Sequence, residues 1–310
     1  MKSTAFAGAL TAVILTSSGY AADIQTFKSP VPDASDHVIL LTGEIEPGDA
    51  EKLDIAINSV LEKRSYISTA YLYSPGGDLN AGMEMGRTLR KYRIGTSGPF
   101  SSVDPDIPSC LSKESFQGHI GSKHPRDQCQ CASSCAIAWM GGVERSGIVD
   151  IHRAYLTPGQ GFESFSAQDR SLGTAYQAVA DYLAEMRAPD SIRQIFLATP
   201  SSRLTRIEGR EVGKDPAWEE YLLSQCGNLE PPAAFTEERN RLFRKQIGGP
   251  LTAQEQSMWE ALSKPVNEHR WCLEDAMQLA RLEAQQKDLL CGSSSIPSTF
   301  TDRVDAICGR

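Results

Sequence analysis

Short apolar segments alternate with amphipathic segments over residues 37–91, and this alternation constrains the fold more than any other feature of the sequence. Residues 37–43 form a β-branched and apolar run that stops at a glycine, which is typical of a buried strand. Residues 47–61 repeat apolar side chains at helical spacing. A second strand at 69–73 and a second helix at 79–91 follow in the same order. Because strand–helix–strand units connect parallel strands, we predict an α/β domain with a parallel sheet.

The pattern resumes beyond these two units. Residues 94–96 indicate a third strand, and residues 131–140 indicate a tightly buried helix of small and apolar residues. A further strand is predicted at 148–152, followed by helices at 168–186 and 189–198.

Changes in composition mark the domain boundaries. Residues 22–36 are rich in Pro, Ser and Asp and are predicted to be a lead-in segment. The α/β domain is expected over residues 37–225, with a cysteine-containing insertion at 97–128 that lacks periodicity. Residues 226–310 are rich in Glu, Arg, Gln and Ala, and we predict a small helical C-terminal region there.

Residues 1–21 have the pattern of a signal peptide. Lys2 precedes an apolar run from Ala5 to Leu15, and small residues lead to Ala21. The run has roughly half the residues that a membrane-spanning helix needs, so cleavage after Ala21 is favoured over an uncleaved anchor. We therefore expect a periplasmic or secreted protein that is not associated with a membrane after cleavage.

The net charge bears on the class of partner. The sequence has 31 basic and 39 acidic residues, and loss of Lys2 with the signal peptide changes the net charge from −8 to −9. There is no block of Lys or Arg. An acidic chain of this kind is a poor candidate for binding nucleic acid or anionic lipid. We also expect no cofactor.

The cysteine content predicts disulfides. Eight cysteines are present, and an even number in an exported chain favours disulfide bonding, although about 105 full pairings are open. A zinc site with His119 and His124 is the alternative, but the usual paired C-x-x-C spacing is absent, so we predict no metal. The disulfide candidates are Cys110, Cys129, Cys131, Cys135, Cys226, Cys272, Cys291 and Cys308.

Three short elements could assemble a catalytic site. Gly76 and Gly77 lie between a strand and a helix, so their backbone N–H groups can turn toward a ligand. Ser134 lies among small residues that would let a substrate approach closely. His152 ends a predicted strand, where the sites of α/β proteins assemble. The plainer explanations are a βα turn, a helix serine bonded to its own backbone, and a packed histidine.

The order of these elements resembles the proteolytic subunit of Clp protease. The matching segments are residues 38–45, 70–77, 132–134 and 151–152, of which the Ser-Pro-Gly-Gly element after an apolar strand is the most specific. The sequence is more closely similar to a group of exported Clp-like proteins with a Cys-Ala-Ser-x-Cys element. The resemblance covers about residues 37–200 and implies the crotonase-type ββα spiral.

The resemblance also implies a role for each candidate residue. Ser134 would be the nucleophile and His152 the general base. The backbone N–H groups of Gly76 and Cys135 would stabilise the oxyanion, with the Gly77 N–H as the alternative to that of Gly76.

The third residue of the triad is missing from its expected place. The family's aspartate should fall within residues 195–199, where this chain has no acid. Asp150, two residues before His152, and Asp190, at the start of the following helix, are the candidates that remain. The connections on both sides of the serine also differ in length from those of the family.

The sequence therefore predicts an exported, ATP-independent serine hydrolase or peptidase that forms an acyl-enzyme on Ser134 and acts on a peptide or an ester. The alternative is a non-catalytic binding or scaffold protein that has lost the triad. An acyl-CoA enzyme is disfavoured because coenzyme A is not expected outside the cytoplasm. The sequence does not fix the oligomeric state, and a homo-oligomer is among the states that it allows. Because residues 97–128 re-enter the core just before Ser134, we also predict that they form a lid beside it.

Overall fold

The computed structural model describes residues 21–29, 36–63, 65–100, 109–117, 129–152, 165–227 and 233–292, with the backbone alone at 165–170, 233–234 and 287–292. The strands in this part of the chain are β1 (Asp23–Lys28), β2 (His37–Thr42), β3 (Ile67–Tyr73), β4 (Gly95–Ser97), β5 (Arg145–Ser146), β6 (Ile148–Ile151) and β7 (Thr205–Glu208). The helices are α1 (Asp49–Leu61), α2 (Leu79–Lys91), α3 (Lys113–Phe116), α4 (Ser134–Met140), α5 (Phe165–Glu185), α6 (Asp190–Ala198), α7 (Gly209–Val212), α8 (Pro216–Cys226), α9 (Ala233–Gly248) and α10 (Ala253–Gly292).

The main sheet has the strand order β1-β2-β3-β4-β5. Strands β2 to β5 pair in parallel, with Leu40 opposite Tyr71 and Ala70 opposite Thr96. The predicted α/β class with a parallel sheet is confirmed. Strand β1 pairs antiparallel with β2, so the segment that we described as a lead-in contributes an edge strand to the sheet. A second, antiparallel pair is formed by β6 and β7.

The alternating side chains of β2 show that both faces of the sheet are covered. Ile39 and Leu41 are buried in the main core together with residues of α1, α2, α4 and α5. Val38 and Leu40 point to the opposite face and belong to a smaller cluster with Phe116 of α3. Alternate side chains of β2 thus belong to two separate apolar layers, as expected from the two-residue period of a strand.

Helix α4 is buried along its whole length, as its small and apolar composition predicts. It packs closely against α2, where a Cβ added to Gly82 would lie 2.6 Å from the carbonyl oxygen of Ser134. The far end of α4 is fixed by arginines, because Arg90 Nε donates to the Gly141 carbonyl at 2.8 Å and Arg145 Nε donates to the Met140 carbonyl at 3.1 Å. Contacts at both the first and the last turn of α4 therefore fix the position of this helix.

The described part of the insertion lies on the sheet face opposite α1 and α2. Phe100 pairs with Ser109, and the Cys110–Cys129 disulfide, with its Cα atoms 5.6 Å apart, joins the cluster that contains Phe116. Residues 101–108 and 118–128, which include both histidines of the zinc alternative, lie outside the described residues. Where the insertion is described, it covers the sheet.

The C-terminal helices dock on the α/β domain. The Cys226–Cys272 disulfide links α8 to α10, with a Cα separation of 5.9 Å. Further along α10, the Gln285 side chain accepts a hydrogen bond from the Ile67 N–H at 2.9 Å and donates to the carbonyls of Ile67 and Tyr92. These contacts hold the end of α10 against β3.

Six of the eight cysteines form disulfides, so disulfide bonding is confirmed for these six. The side chains of Cys291 and Cys308 lie outside the described residues. Within the described ranges, the helices include none with the length and apolar character required to cross a bilayer.

Candidate active site

A cavity of about 910 Å³ opens beside the start of α4. Four of the predicted site residues line it, namely Gly76, Gly77, Ser134 and His152. The other described residues that line it come from the β2–α1 and β3–α2 connections, the start of α2, helix α4 with its N-cap residue, and helices α5 and α6. None of the described residues of the 97–128 insertion lines the cavity, so this part of the insertion gives no support to the predicted lid.

Both positions of the glycine pair require a glycine. Gly76 has φ 107° and Gly77 has φ 140°, a region that side-chain-bearing residues rarely adopt. A Cβ on Gly76 would lie 2.6 Å from the Cβ of Ser133, and a Cβ on Gly77 would overlap the carbonyl of Ile45. The turn therefore brings its backbone into contact with the segment that precedes α4.

The two glycine N–H groups have different partners. The Gly76 N–H, which we expected to bind the oxyanion, donates to the Ser74 hydroxyl at 3.1 Å. The neighbouring carbonyl of Gly76 accepts from the Ile45 N–H, and the Asp78 N–H donates to the Ile45 carbonyl. Between these bonds the Gly77 N–H has no acceptor among the described residues. Gly77, the alternative donor from the sequence, is thus the one whose N–H is available.

Ser134 borders the cavity, yet its side chain is packed into the interface with α2. The residue is 1 % exposed, and the position of a Cβ on Gly82 would be 3.0 Å from the Ser134 Cβ. The Ser134 hydroxyl is buried with no hydrogen-bond partner in the described part of the chain. A nucleophile needs a hydroxyl that a substrate carbonyl can reach, so this geometry does not favour the role that we predicted for Ser134.

Ser133, one residue earlier, differs from Ser134 in both exposure and backbone conformation. Its backbone has φ 57° and ψ −123°, which is rare for a residue with a side chain and carries a strain of about 1–3 kcal/mol. It lies between the strand-like pairing of Ala132 with Asp150 and the first turn of α4, and it lines the cavity with part of its surface exposed. Strained serines on strand-to-helix turns are found as nucleophiles in hydrolases.

If Ser133 is considered in place of Ser134, the backbone N–H group that can bind an oxyanion beside it is also a different one. The Cys135 N–H, which we expected to bind the oxyanion, donates to the Ala132 carbonyl at 3.0 Å. The Ser134 N–H, which directly follows Ser133, has no acceptor among the described residues. A Cβ on Gly76 would be 3.2 Å from this nitrogen, so the glycine turn and the start of α4 are adjacent.

His152 follows β6 and reaches the same cavity. The Asp150 N–H donates to the Cys131 carbonyl at 2.9 Å, and the Ser133 N–H donates to the Asp150 carbonyl at 3.1 Å. These bonds fix the end of β6 alongside the segment that carries Ser133. The half-buried imidazole of His152 is thereby brought to the cavity wall.

Both aspartates that we considered for the third triad position are paired elsewhere. Asp150 accepts from Arg206 Nε at 3.1 Å, and Asp190, with its side chain 79 % exposed, pairs with Arg193. Neither residue lines the cavity. At the place where the family's aspartate was expected, the cavity wall is apolar and consists of Phe196 and Leu197.

Among the described residues that line the cavity, the charged ones other than His152 are all acids. They are Glu44 and Glu46 of the β2–α1 connection and Asp78, whose carboxylate caps α2 by accepting from the Ala81 N–H at 2.8 Å. In the described part of the chain no group of three or more His, Cys, Asp or Glu residues could hold a metal ion.

The chain was also compared with known proteins. No protein-family model matches it, and no curated protein matches it.

Proposed function

We propose that this protein is an exported serine hydrolase that cleaves a peptide or ester bond through an acyl-enzyme on Ser133, with His152 as the general base. The observation that carries the proposal is the strained backbone of Ser133 at the wall of the cavity. Strain of this kind persists only where the surrounding structure maintains it, and it clusters at catalytic sites.

The mechanism uses four groups of this chain. The Ser133 hydroxyl attacks the substrate carbonyl carbon while His152 accepts the hydroxyl proton. The negative charge that develops on the carbonyl oxygen is stabilised by the N–H groups of Gly77 and Ser134, neither of which has an acceptor among the described residues. His152 then returns the proton to the leaving amine or alcohol. Water attacks the acyl-Ser133 ester in the same way and releases the acid.

The crotonase-type spiral is part of the proposal. Isolated parallel bridges join Ile45 to Gly77, Ser74 to Cys131 and Ala132 to Asp150. Each bridge lies just beyond the end of a main-sheet strand or beside β6, so the chain turns away from the main sheet at the cavity. This arrangement supports the spiral, and the resemblance of residues 37–200 to Clp-like proteins is consistent with it.

The site lacks a carboxylate in the expected third position, so we expect slow turnover. In serine proteases the loss of the orienting aspartate decreases turnover by about 10⁴-fold. The apolar wall from α5 and α6, with Leu172, Val179 and Phe196, fits an apolar acyl group or side chain. The proposed substrate is thus a peptide or ester with an apolar group on its acyl side.

Export is supported by the redox state of the cysteines. Three disulfides form among the described residues, and disulfides persist in oxidising compartments such as the periplasm. With the signal-peptide pattern of residues 1–21, this favours a periplasmic or secreted location.

A non-catalytic binding protein is the second candidate. It is favoured by Phe196 and Leu197, which give the cavity an apolar wall where the family places an acid. In that case the cavity would bind an apolar peptide segment without cleaving it.

Hydrolysis of p-nitrophenyl esters of short apolar acids tests the proposal. Ser133→Ala and His152→Ala should fall to the background rate. Ser134→Ala should keep at least about a third of the activity, because it removes a buried hydroxyl that has no partner among the described residues. Activity lost in Ser134→Ala but kept in Ser133→Ala would assign the nucleophile to Ser134. No hydrolysis by the folded, oxidised wild type would favour the binding protein.

A further inference from the structure

Two cysteines lie symmetrically around the strained serine. Cys131 is two residues before Ser133 and Cys135 is two residues after it. The structure joins them in a disulfide with a Cα separation of 5.2 Å, and both residues are buried. The cross-link therefore closes a loop of which Ser133 is the central residue.

Hydrogen bonds hold the two ends of this loop in different elements. Cys131 is bridged to Ser74, which directly follows β3, and the Cys131 carbonyl accepts from the Asp150 N–H. Cys135 lies in the first turn of α4, which packs against α2. The chain must pass from the strand to the helix between these two points, and it does so by placing Ser133 at φ 57°.

A side-chain-bearing residue tends to leave this conformation. If Ser133 relaxed to a negative φ, its own hydroxyl and the N–H of Ser134 would both change direction. A strain of the size given above corresponds to about a 5-fold to 150-fold preference for the relaxed backbone when nothing opposes it. The short cross-link opposes it, because relaxation would have to displace either Cys131 from its bridge or Cys135 from its helix.

We infer that the Cys131–Cys135 disulfide is a positioning element of the active site, which holds Ser133 and the Ser134 N–H in the reactive arrangement. This inference rests on the proposed function. The cross-link forms when the two thiols lose two electrons and two protons to a disulfide oxidant, which becomes a dithiol. Because the two cysteines are 1 % and 0 % exposed, reductants do not reach the bond in the folded protein, and the site stays locked once it has formed.

The Cys226–Cys272 disulfide provides a matched control. It is also a single cross-link, but it joins α8 to α10 and neither cysteine lines the cavity. Its removal should lower stability and leave the cavity unchanged. The two double variants, C131A/C135A and C226A/C272A, therefore separate positioning from stability.

The test measures two quantities on each folded variant. The first is the second-order rate constant for reaction of Ser133 with a fluorophosphonate. The second is hydrogen exchange by NMR of the Ser133 and Ile137 amides, which donate to the carbonyls of Asp150 and Ser133. For C131A/C135A we expect a rate about 5-fold to 150-fold below wild type, with faster exchange at both amides. For C226A/C272A we expect a rate within about twofold of wild type and unchanged exchange at these two amides. In ester hydrolysis the first variant should lose kcat with little change in KM.

The outcomes distinguish this inference from the proposed function. A folded C131A/C135A variant that reacts at the wild-type rate overturns the inference and leaves the hydrolase proposal intact. If the oxidised wild type itself does not react, the hydrolase proposal fails, and the exchange rates alone decide whether the disulfide fixes this backbone; unchanged exchange then overturns the inference. If C131A/C135A does not fold, C131V/C135A, which restores buried volume, is measured in its place and read in the same way.

Discussion

The backbone N–H of Ser133 donates a hydrogen bond of 3.1 Å to the carbonyl oxygen of Asp150. This bond ties the strained serine to β6, the strand that directly precedes His152. Asp150 thus takes part in the site through its main chain, while its carboxylate faces Arg206. A residue that the sequence suggests as a triad member thus contributes, through its backbone, to holding Ser133 and His152 at the cavity.

Replacement of the Asp150 carboxylate should therefore have little effect on catalysis. We expect Asp150→Asn to change kcat/KM by less than about threefold, because the backbone carbonyl remains and the lost ion pair is partly exposed. Steady-state hydrolysis of the apolar ester is the measurement, with Arg206→Gln as the control that removes the same ion pair. A decrease of about 10⁴-fold in Asp150→Asn alone would show that the carboxylate orients His152 after all.

A side chain at Gly77 should abolish activity. In Gly77→Ala the new Cβ would overlap the carbonyl of Ile45 at a backbone φ of 140°, so the turn and the Gly77 N–H must shift. Gly173 in α5 is the matched control, because a Cβ there would meet no atom within 4 Å. Gly173→Ala should retain activity and raise the free energy of unfolding by roughly 0.5–1 kcal/mol. Ester hydrolysis and urea unfolding of the two variants are compared, and an active Gly77→Ala protein would remove Gly77 from the site.

Elements of the fold that reflect local burial can be predicted from the sequence, whereas elements that depend on pairing with another strand cannot. The strands that contain Leu40 and Tyr71 and the helix α4 can be predicted because runs of apolar residues mark segments that are buried. Strand β1 was not predicted, since its exposed and mixed side chains follow from pairing with β2 and not from a core of their own. Pairing partners are set by the tertiary structure, which composition does not encode locally.

The candidate site likewise combines features that the sequence predicts with features that only the tertiary structure sets. The glycine pair, the serine segment and His152 were brought to one cavity as the motif order implied. The choice between Ser133 and Ser134 depends on a single backbone angle, and both serines lie in the same run of small residues. One signal was present, because the Cys-Ala-Ser-x-Cys element places its own serine at 133. The available N–H groups follow from the turn geometry, which sequence spacing does not specify.

The buried arginine behind α4 should matter for stability. Arg145 is 6 % exposed, burial lowers its pKa to about 10, and it donates to the carbonyls of Met140 and Met186. We expect Arg145→Met to lower the free energy of unfolding by about 2 kcal/mol, because each of these buried carbonyls loses one of its two arginine donors and keeps only Arg90. The control is Arg87→Met, which removes an exposed ion pair with Glu185 and should change stability by less than about 1 kcal/mol.

Urea unfolding of the oxidised proteins measures both changes. Equal, small effects in the two variants would contradict the role given to Arg145 in fixing the end of α4. A large loss of stability in Arg145→Met with full ester hydrolysis at low temperature would show that the arginine supports the fold without positioning the site.

Stability should decrease in mild acid because of His37. Burial, together with the nearby Lys63, lowers the pKa of His37 from its ordinary value of 6.5. The folded state thus favours neutral His37, so its contribution to stability is full above pH 6.5 and decreases as the pH falls through 6.5 toward the lowered value. The unfolding free energy of the wild type minus that of His37→Gln, measured between about pH 5 and about pH 8, should increase with pH. A difference that falls with pH would mean that the pKa is raised.

The assignment of Ser133 as the nucleophile is tested most directly by the site at which a fluorophosphonate modifies the protein. The oxidised wild-type protein is incubated with the probe, digested, and the modified peptide that spans residues 131–140 is fragmented by mass spectrometry. We predict a single phosphonyl group on Ser133, its absence in Ser133→Ala and His152→Ala, and its retention in Ser134→Ala. Modification of Ser134, or an unmodified peptide from protein shown to be folded with the Cys131–Cys135 disulfide formed, would contradict the account.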